Sequence, residues 1–460
     1  MFIQQLYTNC LAQAAYYIES NGEAAIIDPL RDTADYLTLL KSRNAKLKYI
    51  FETHFHADFV SGHLDLAKQT GAQIIFGPDA KPNYEARICR DNEKLLLGDC
   101  VLQVLHTPGH TIESICVLLF DEQHKSHSLF SGDTLFVGDV GRPDLLSGNL
   151  SKEVLASMLY DSIQQKIMPL NGDVIVYPGH GAGSPCGKNL GKETSSTIGI
   201  QKKLNYALQP ITKEKFIEIV TADQPAAPAY FFKDAAINKN GYESFETVLQ
   251  KEMKDLSAEQ VAEYIRKGAV VLDVRNNNDF ANAHIKGAIN IALNGTFAIY
   301  TGSIISLTQP IVLVCDMGKE KEPLTRLARV GFENVVGYWD GDVHFLISHE
   351  IEISKIKTIA VDELNEVLTN EKMVVLDVRL KNEFDVQHLK NAINIPLNEL
   401  QDRIAELNPK DELLIYCAGG YRSMIAASIL EKNGFKKLIN LNGGINAVNK
   451  YKPEMILQMA

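Results

Sequence analysis

The chain has 460 residues, 45% of them hydrophobic and 22% charged, with a formal net charge of −11. This is the composition of a soluble globular protein with room for about three domains. An acidic balance of that size argues against nucleic acid or an anionic membrane as the main partner, because both require a basic footprint.

Seven cysteines are scattered along the chain: Cys10, Cys89, Cys100, Cys116, Cys186, Cys315 and Cys417. The count is odd and no CxxC pair occurs, so reduced thiols in a cytoplasmic setting are expected rather than a disulfide framework. The opening MFIQQLYTNCLAQAAYYI has no basic stretch followed by an apolar run and a cleavage site, so it is not read as a secretory signal. No run approaches the ~20 apolar residues that span a bilayer.

Up to about residue 240, short apolar runs alternate with loops rich in Gly, His and Asp. AAIID (24–28), LKYIFETH (47–54), AQIIFG (72–77), LQVLHTPGH (102–110), SLFSGD (128–133) and DVIVYPGH (173–180) read as strands. Several finish in polar clusters, the position at which layered α/β folds place active sites. SGHLDLAKQT (61–70) and KEVLASMLYDSIQQKI (152–167) read as helices. The proline-containing TADQPAAPAYFF (221–232) reads as the start of an exposed connection.

Beyond it lies an internal repeat. VVLDVRNNNDFANAHIKGAINIAL from Val270 matches VVLDVRLKNEFDVQHLKNAINIPL from Val374. VLVC ending at Cys315 matches LIYC ending at Cys417, and GFENVVGY from Gly331 matches GFKKLINL from Gly434. A repeat this long is a duplicated domain. Each copy reads as strands with crossover helices, a parallel α/β pattern. The expected domains are 1–240, 255–352 and 355–460.

The first block concentrates donor side chains at strand ends. THFHAD (53–58) carries His54, His56 and Asp58. HTPGHT (106–111) supplies His110, FSGDTLF (130–136) Asp133 and YPGHG (177–181) His180. Imidazole and carboxylate without thiolate suit divalent iron, zinc or manganese. His63, His106, His124 and His127 are read as ordinary core or surface residues.

THFHADFVSGH, TPGHT, SGDTLF and YPGHG resemble the metallo-β-lactamase superfamily across the whole first block. That resemblance implies an αββα sandwich with the metal at one edge of the sheets. Many members hold two zinc ions through HxHxDH, but here the last position is Phe59, which cannot ligate, so one metal is expected. The block is most similar to the persulfide dioxygenases. By motif position, that resemblance implies one Fe(II) per chain on His54, His110 and Asp133. His56, Asp58 and His180 then orient ligands and bound water, with direct ligation left open. It also implies that Arg142, in GDVGRPDL (138–145), holds a carboxylate of the thiol substrate, the alternative being an ordinary salt bridge. Cys186, in GHGAGSPCGK (179–188), either touches substrate or is a buried thiol.

In the last block, DELLIYCAGGYRSMIAASIL (411–430) places Cys417 at a strand end, followed by a short loop and a helix. Successive loop N–H groups and a helix N-terminus favour a thiolate, and Arg422 adds positive charge. The form C-x-x-G-x-R-S resembles the rhodanese sulfurtransferases. That resemblance implies that Cys417 carries a persulfide, with Arg422 and Ser423 in the same loop. In the middle copy Cys315 is followed by DMGKEKEP, whose acids disfavour a thiolate, so that copy reads as a degenerate, weak or silent rhodanese domain serving as spacer or interface.

The chain therefore reads as an α/β multidomain persulfide dioxygenase–rhodanese fusion that acts in sulfide detoxification. Its implied partners are a small thiol persulfide (of glutathione, coenzyme A or another thiol), O2, and sulfite or thiosulfate. Neither nucleic acid nor membrane is expected, and the family's habit of self-association implies a homo-oligomer. A glyoxalase II-like zinc thioester hydrolase and a non-catalytic sulfane-sulfur carrier or sensor are the alternatives.

Overall fold

The computed structural model describes residues 1–145, 150–222, 224, 227–370 and 372–458. They form two compact units: Met1–Val248 with Leu327–Gly331, and Leu249–Arg326 with Phe332–Ala460.

The first unit contains two six-stranded sheets. One runs, in spatial order, Phe2–Thr8, Gln13–Ser20, Glu23–Ile27, Lys46–Phe51, Gln73–Phe76 and Arg87–Ile88. Its first two pairings are antiparallel and the next three parallel. The other runs Ser196–Thr197, Ile175–Pro178, Ser126–Gly132, Ile115–Phe120, Cys100–His106 and Lys94–Leu97. There only Ser126–Gly132 with Ile175–Pro178 is parallel.

Side-chain alternation builds four layers. Ala14, Tyr16 and Ile18 of one strand meet Leu102, Val104, Val117 and Leu119 between the sheets. Their neighbours Ala15 and Tyr17 point the other way, onto Tyr36, Leu40 and Leu66 from the flanking helices. On the outer face of the second sheet, Cys116, Leu118 and Leu129 pack against Leu159, Ile163 and Phe216. Both faces of each sheet are buried, which is why the strands are near-continuous apolar runs. The expected αββα sandwich is the fold of this unit.

Part of the expected exposed connection is different. Residues 223, 225 and 226 lie outside the described residues. Tyr230 and Phe231, at 1% and 0% exposure, are core residues that open the helix Phe231–Asn240. Two adjacent aromatic side chains gain more from burial than the chain gains from staying extended.

The second unit holds two parallel sheets. One is ordered Ile289–Asn290, Val270–Asp273, Ile311–Val314, Val335–Trp339. The other is ordered Lys357–Ile359, Leu438–Leu441, Glu412–Tyr416, Met373–Asp377, Ile393–Asn394. All their pairings are parallel. The repeated Asp-Val-Arg is a latch in each. Arg275 donates to both Asp273 oxygens and to the Ala283 carbonyl. Arg379 does the same with Asp377 and the Gln387 carbonyl. Asn290 and Asn394 then bond the carbonyls flanking each pair. Rings stack alongside at 3.8 Å (Phe280 on His284) and 3.9 Å (Phe384 on His388). Among the described residues no helix is long and apolar enough to cross a membrane.

Asp273 is fully buried, and Arg275 compensates its charge. Arg275→Met should destabilise the middle copy by about 3 kcal/mol or more, and adding Asp273→Asn should recover a large part of it. Trp339, the chain's single tryptophan, lies in that sheet and reports the transition in urea. An Arg275→Met midpoint equal to wild type would refute the latch.

Candidate metal centre and cysteine loop

Three strand-end side chains converge in the first unit. The ligand atoms of His54, His110 and Asp133 all lie within 4.8 Å of one another, and each residue is 2% exposed. Asp133 Oδ2 is 3.9 Å from His54 Nε2 and 3.5 Å from His110 Nε2.

Each donor is fixed from behind. The Thr53 hydroxyl donates to Asp28 Oδ2 at 2.8 Å, so toward His54 Nδ1, at 2.9 Å, it can only accept. The proton of His54 is therefore on Nδ1 and its Nε2 lone pair points inward. His110 Nδ1 lies 2.8 Å from the Arg142 carbonyl, an acceptor only, with the same result. Asp133 Oδ1 accepts from His180 Nδ1 at 2.8 Å, whereas buried Asp133 Oδ2 has no hydrogen-bond partner among the described residues.

Burial pushes the His54 imidazole well below its usual pKa, the neutral form a ligand needs. Burial would raise the Asp133 carboxyl, but His180, His54 and His110 outweigh it and hold it well below the usual range. Two neutral imidazole nitrogens and one bare carboxylate oxygen, buried together, fit a divalent ion.

Close backbone approach makes this possible. Gly132 has φ +47°, and a Cβ there would lie 2.6 Å from Thr53 Oγ1. A Cβ on Gly179 would lie 2.7 Å from Asp133 Oδ1. The glycines of SGD and PGH are thus spatial requirements of the site.

The remaining named residues surround this trio. His180 spans two carboxylates, with Nδ1 on Asp133 and Nε2 on Asp58 Oδ2 at 2.7 Å. Burial lowers its pKa, but the two carboxylates prevail and raise it well above normal, so it carries both protons. His56 turns Nε2 to Asp28, 3.0 Å away, with Glu52 at 3.6 Å, and these outweigh burial to give a pKa of about 9. Phe59 is fully buried and stacks on the His56 ring at 4.3 Å. Cys186 comes within 4.8 Å of Asp58 and His180, and burial pushes its thiol well up.

Arg142 is 1% exposed. It holds Asp144 through Nε and Nη2 at 3.0 and 2.7 Å while its carbonyl holds His110. A substrate carboxylate there has to share the guanidinium with Asp144.

Sequence reading missed several supports. Asn238 clamps the His-rich loop through the carbonyls of His56 and Phe59 and the Ser61 amide. Tyr230 has a buried hydroxyl without a hydrogen-bond partner among the described residues. Nothing local marks either residue. Asp28 and Thr53 did carry a signal, a polar pair ending adjacent apolar strands.

In the second unit, Cys417 ends the strand Glu412–Tyr416 and precedes the helix Tyr421–Lys432. The Gly420 amide donates to its sulfur at 3.1 Å. Arg422 is held by both oxygens of Glu383 at 2.6 and 2.8 Å, and Ser423 Oγ closes the loop onto the Gly420 carbonyl. The amides of Ile445 and Asn446 grip the carbonyls of Cys417 and Ala418. Gly444, at φ +52°, leaves no room for a Cβ against the Cys417 carbonyl, a second glycine signal that sequence reading passed over. Cys315 occupies the matching strand end. Burial, then Asp340, Glu320 and Asp316, push its thiol up to about 12.

Two measurements test these assignments. Thr53→Val removes the acceptor for His54 Nδ1 at constant shape and should weaken metal binding about 10–100-fold in chelator competition. Unchanged affinity would contradict the tautomer argument. At pH 8 a thiol of pKa 12 is thiolate in about one molecule in ten thousand. Alkylation of Cys315, followed by peptide mass spectrometry, should therefore be negligible there and rise only with strong alkali.

Comparison with known proteins gives the family. The rhodanese-like domain model matches residues 257–344 and 360–451, and the metallo-beta-lactamase superfamily model matches residues 8–88. A solved metallo-beta-lactamase from Staphylococcus aureus subsp. aureus COL is 33% identical. The match covers 74% of this chain and 98% of that one, with a TM-score of 0.66. The mitochondrial persulfide dioxygenase of Homo sapiens is 30% identical over 201 residues, 43% of this chain and 71% of the relative. A probable hydroxyacylglutathione hydrolase of Schizosaccharomyces pombe is 32% identical over 165 residues, 35% of this chain but only 60% of the relative's length. The chain belongs to the metallo-β-lactamase superfamily, with a metallo-β-lactamase domain followed by two rhodanese-like domains in the order of a persulfide dioxygenase–rhodanese fusion.

Proposed function

We propose that the first unit is a non-haem Fe(II) persulfide dioxygenase and that Cys417 is the nucleophile of a coupled sulfurtransferase. The observation that carries the first assignment is the double engagement of His180. Both its ring nitrogens are taken up by Asp58 and Asp133, while His54 Nε2, His110 Nε2 and Asp133 Oδ2 keep lone pairs free. Two histidines and one carboxylate leave coordination positions open for substrates, the arrangement suited to oxygen chemistry.

Bound ferrous iron would supply the redox chemistry by which dioxygen oxidises the outer sulfur. The balance is RSSH + O2 + H2O giving RSH, SO3²⁻ and two protons. The chain's own groups do the rest. His54, His110 and Asp133 fix the geometry that makes the reaction effectively intramolecular. His180 keeps Asp133 Oδ1 occupied and stores a proton against Asp58. Arg142, shared with Asp144, is the candidate for a substrate carboxylate, and Cys186 lies beside Asp58 and His180.

At Cys417, the thiolate takes the outer sulfur of a persulfide and passes it to sulfite. The second step is Cys–S–S⁻ + SO3²⁻ giving Cys–S⁻ and S2O3²⁻, and the same residues serve the reverse direction. The Gly420 amide and the helix N-terminus support the anion. Cys315, held as a thiol, takes no part. Seven free cysteines suit a reducing compartment such as the cytoplasm.

A second reading is a two-zinc thioester hydrolase. It is favoured by the grouping of Cys186 with Asp58 and His180, a possible second set of donors, and by the likeness to hydroxyacylglutathione hydrolases. Anaerobic preparation, metal quantitation and O2 uptake against a panel of persulfides decide between them. We expect one iron per chain and O2 consumption, with Cys417→Ser keeping O2 uptake and losing sulfur transfer from thiosulfate to cyanide. Two zinc ions with thioester hydrolysis would sink the dioxygenase reading. No uptake by iron-loaded protein would leave a sulfur carrier.

A further inference from the structure

The middle rhodanese-like domain, whose Cys315 is buried beside carboxylates, is joined to the helix that begins at the Cys417 loop. His284 Nε2 and the Gly287 amide reach Glu431, and the Asn290 amide bonds Ser428 Oγ. At the other end of that helix the Tyr421 hydroxyl donates to the Ala292 carbonyl at 2.8 Å. The Tyr421 ring lies against Gly295, where a Cβ would come within 2.4 Å of it. Asn277 Nδ2 bonds the carbonyl of Gly420, the residue whose amide touches the Cys417 sulfur, at 3.1 Å. Residues 421, 428 and 431 share one face of the helix, so the domain fixes the loop along the helix's full length.

One further side chain of this domain packs against the residue that opens that helix. Tyr300, on the helix Phe297–Ile304, has its ring 5.9 Å from that of Tyr421. Its phenol is raised by burial and lies within electrostatic reach of Arg422, Cys417 and Glu383. It is partly buried, and no hydrogen bond satisfies its hydroxyl among the described residues. A phenolic O–H within electrostatic reach of a guanidinium, on a ring packed against the first residue of the Cys417 helix, is an oxyanion donor with a vacant valence.

We propose that Tyr300 of the middle domain binds the sulfonate end of thiosulfate, or sulfite itself, at the Cys417 centre. The degenerate domain thereby sets which sulfur donor the active domain accepts. The proposal rests on the sulfurtransferase reading of Cys417. In the step concerned, Cys417 Sγ bonds the outer sulfur of thiosulfate. The sulfur–sulfur bond of thiosulfate breaks, and sulfite leaves with the electron pair. The leaving group's oxygens carry the charge that the Tyr300 hydroxyl meets. A thiol persulfide has no oxygens next to its outer sulfur, so its transfer to Cys417 depends on Tyr300 much less.

The test uses the full chain and Tyr300→Phe, which removes only the hydroxyl. KM is measured for thiosulfate and for glutathione persulfide with cyanide as acceptor, alongside the rate of Cys417 alkylation by uncharged iodoacetamide. Loss of one hydrogen bond to an anion predicts a rise of about tenfold in the thiosulfate KM relative to the persulfide KM, at an unchanged alkylation rate. Equal effects on both donors would mean a structural role and overturn the proposal. An unchanged thiosulfate KM with active wild type would overturn it while leaving the sulfurtransferase reading intact. Failure of the wild type to form thiocyanate from either donor would overturn both. If Tyr300→Phe proves poorly folded, Asn277→Asp provides the second measurement. Placing a negative charge beside the Gly420 carbonyl should raise the thiosulfate KM more than the persulfide KM, and the reverse order would count against an oxyanion subsite.

Discussion

The Asp133 carboxylate is buried among groups that each constrain it differently. One oxygen accepts a hydrogen bond from His180, the other is bare and faces two imidazole nitrogens, and glycine backbone crowds it from two directions. A buried carboxylate persists as an anion only if its surroundings supply positive charge and donors. His180 supplies them by holding both its protons, which in turn requires Asp58 on its far side. Asp58 sits in the loop that also brings in His54, so the ligand set and its charge compensation are one connected structure. That connection accounts for four separate strand ends meeting at one edge of the sandwich.

The same geometry bears on the second group of donors beside the trio. A two-metal hydrolase needs its second imidazole as a neutral donor. In this chain both ring nitrogens of His180 are hydrogen-bonded to carboxylates, and the motif's final imidazole is replaced by a buried phenyl ring stacked on His56. Cys186 stands beside Asp58 and His180, but burial and two nearby carboxylates favour its neutral form. Thiolate character at that position depends on added positive charge.

The second unit shows how a duplicated domain diverges. The Asp–Arg–Asn latch and the stacked Phe–His pair are retained in both copies with nearly the same distances, because they hold the first strand of each sheet to its crossover. The cysteine loops are not retained. Around Cys417, amides from two helix starts stabilise an anion or its backbone carbonyls. Around Cys315, four carboxylates oppose one, those of Asp340, Glu320, Asp316 and Asp273. The middle copy has kept its scaffold and given its surface to the neighbouring loop through Asn277, Ala292, Gly295 and Tyr421.

By itself the sequence determined the strand runs, the duplication, the candidate donor side chains and the acids that set the Cys315 loop apart from the Cys417 loop. These are properties of residue type and local period: apolar alternation, a polar residue ending a strand, acids beside a thiol. Tertiary structure alone decided which imidazole nitrogen of His54 and His110 is free, that His180 bridges Asp133 and Asp58, and that Arg142 is engaged by Asp144. It also decided that Tyr230 and Asn238 are buried at the start and on one face of a helix, and that the Tyr300 ring lies against that of Tyr421. Most of these contacts join residues far apart in the chain, 122 positions for His180 with Asp58 and 129 for Tyr421 with Ala292. No local pattern encodes such a pairing; only the packing of sheets and helices brings those side chains within hydrogen-bonding distance.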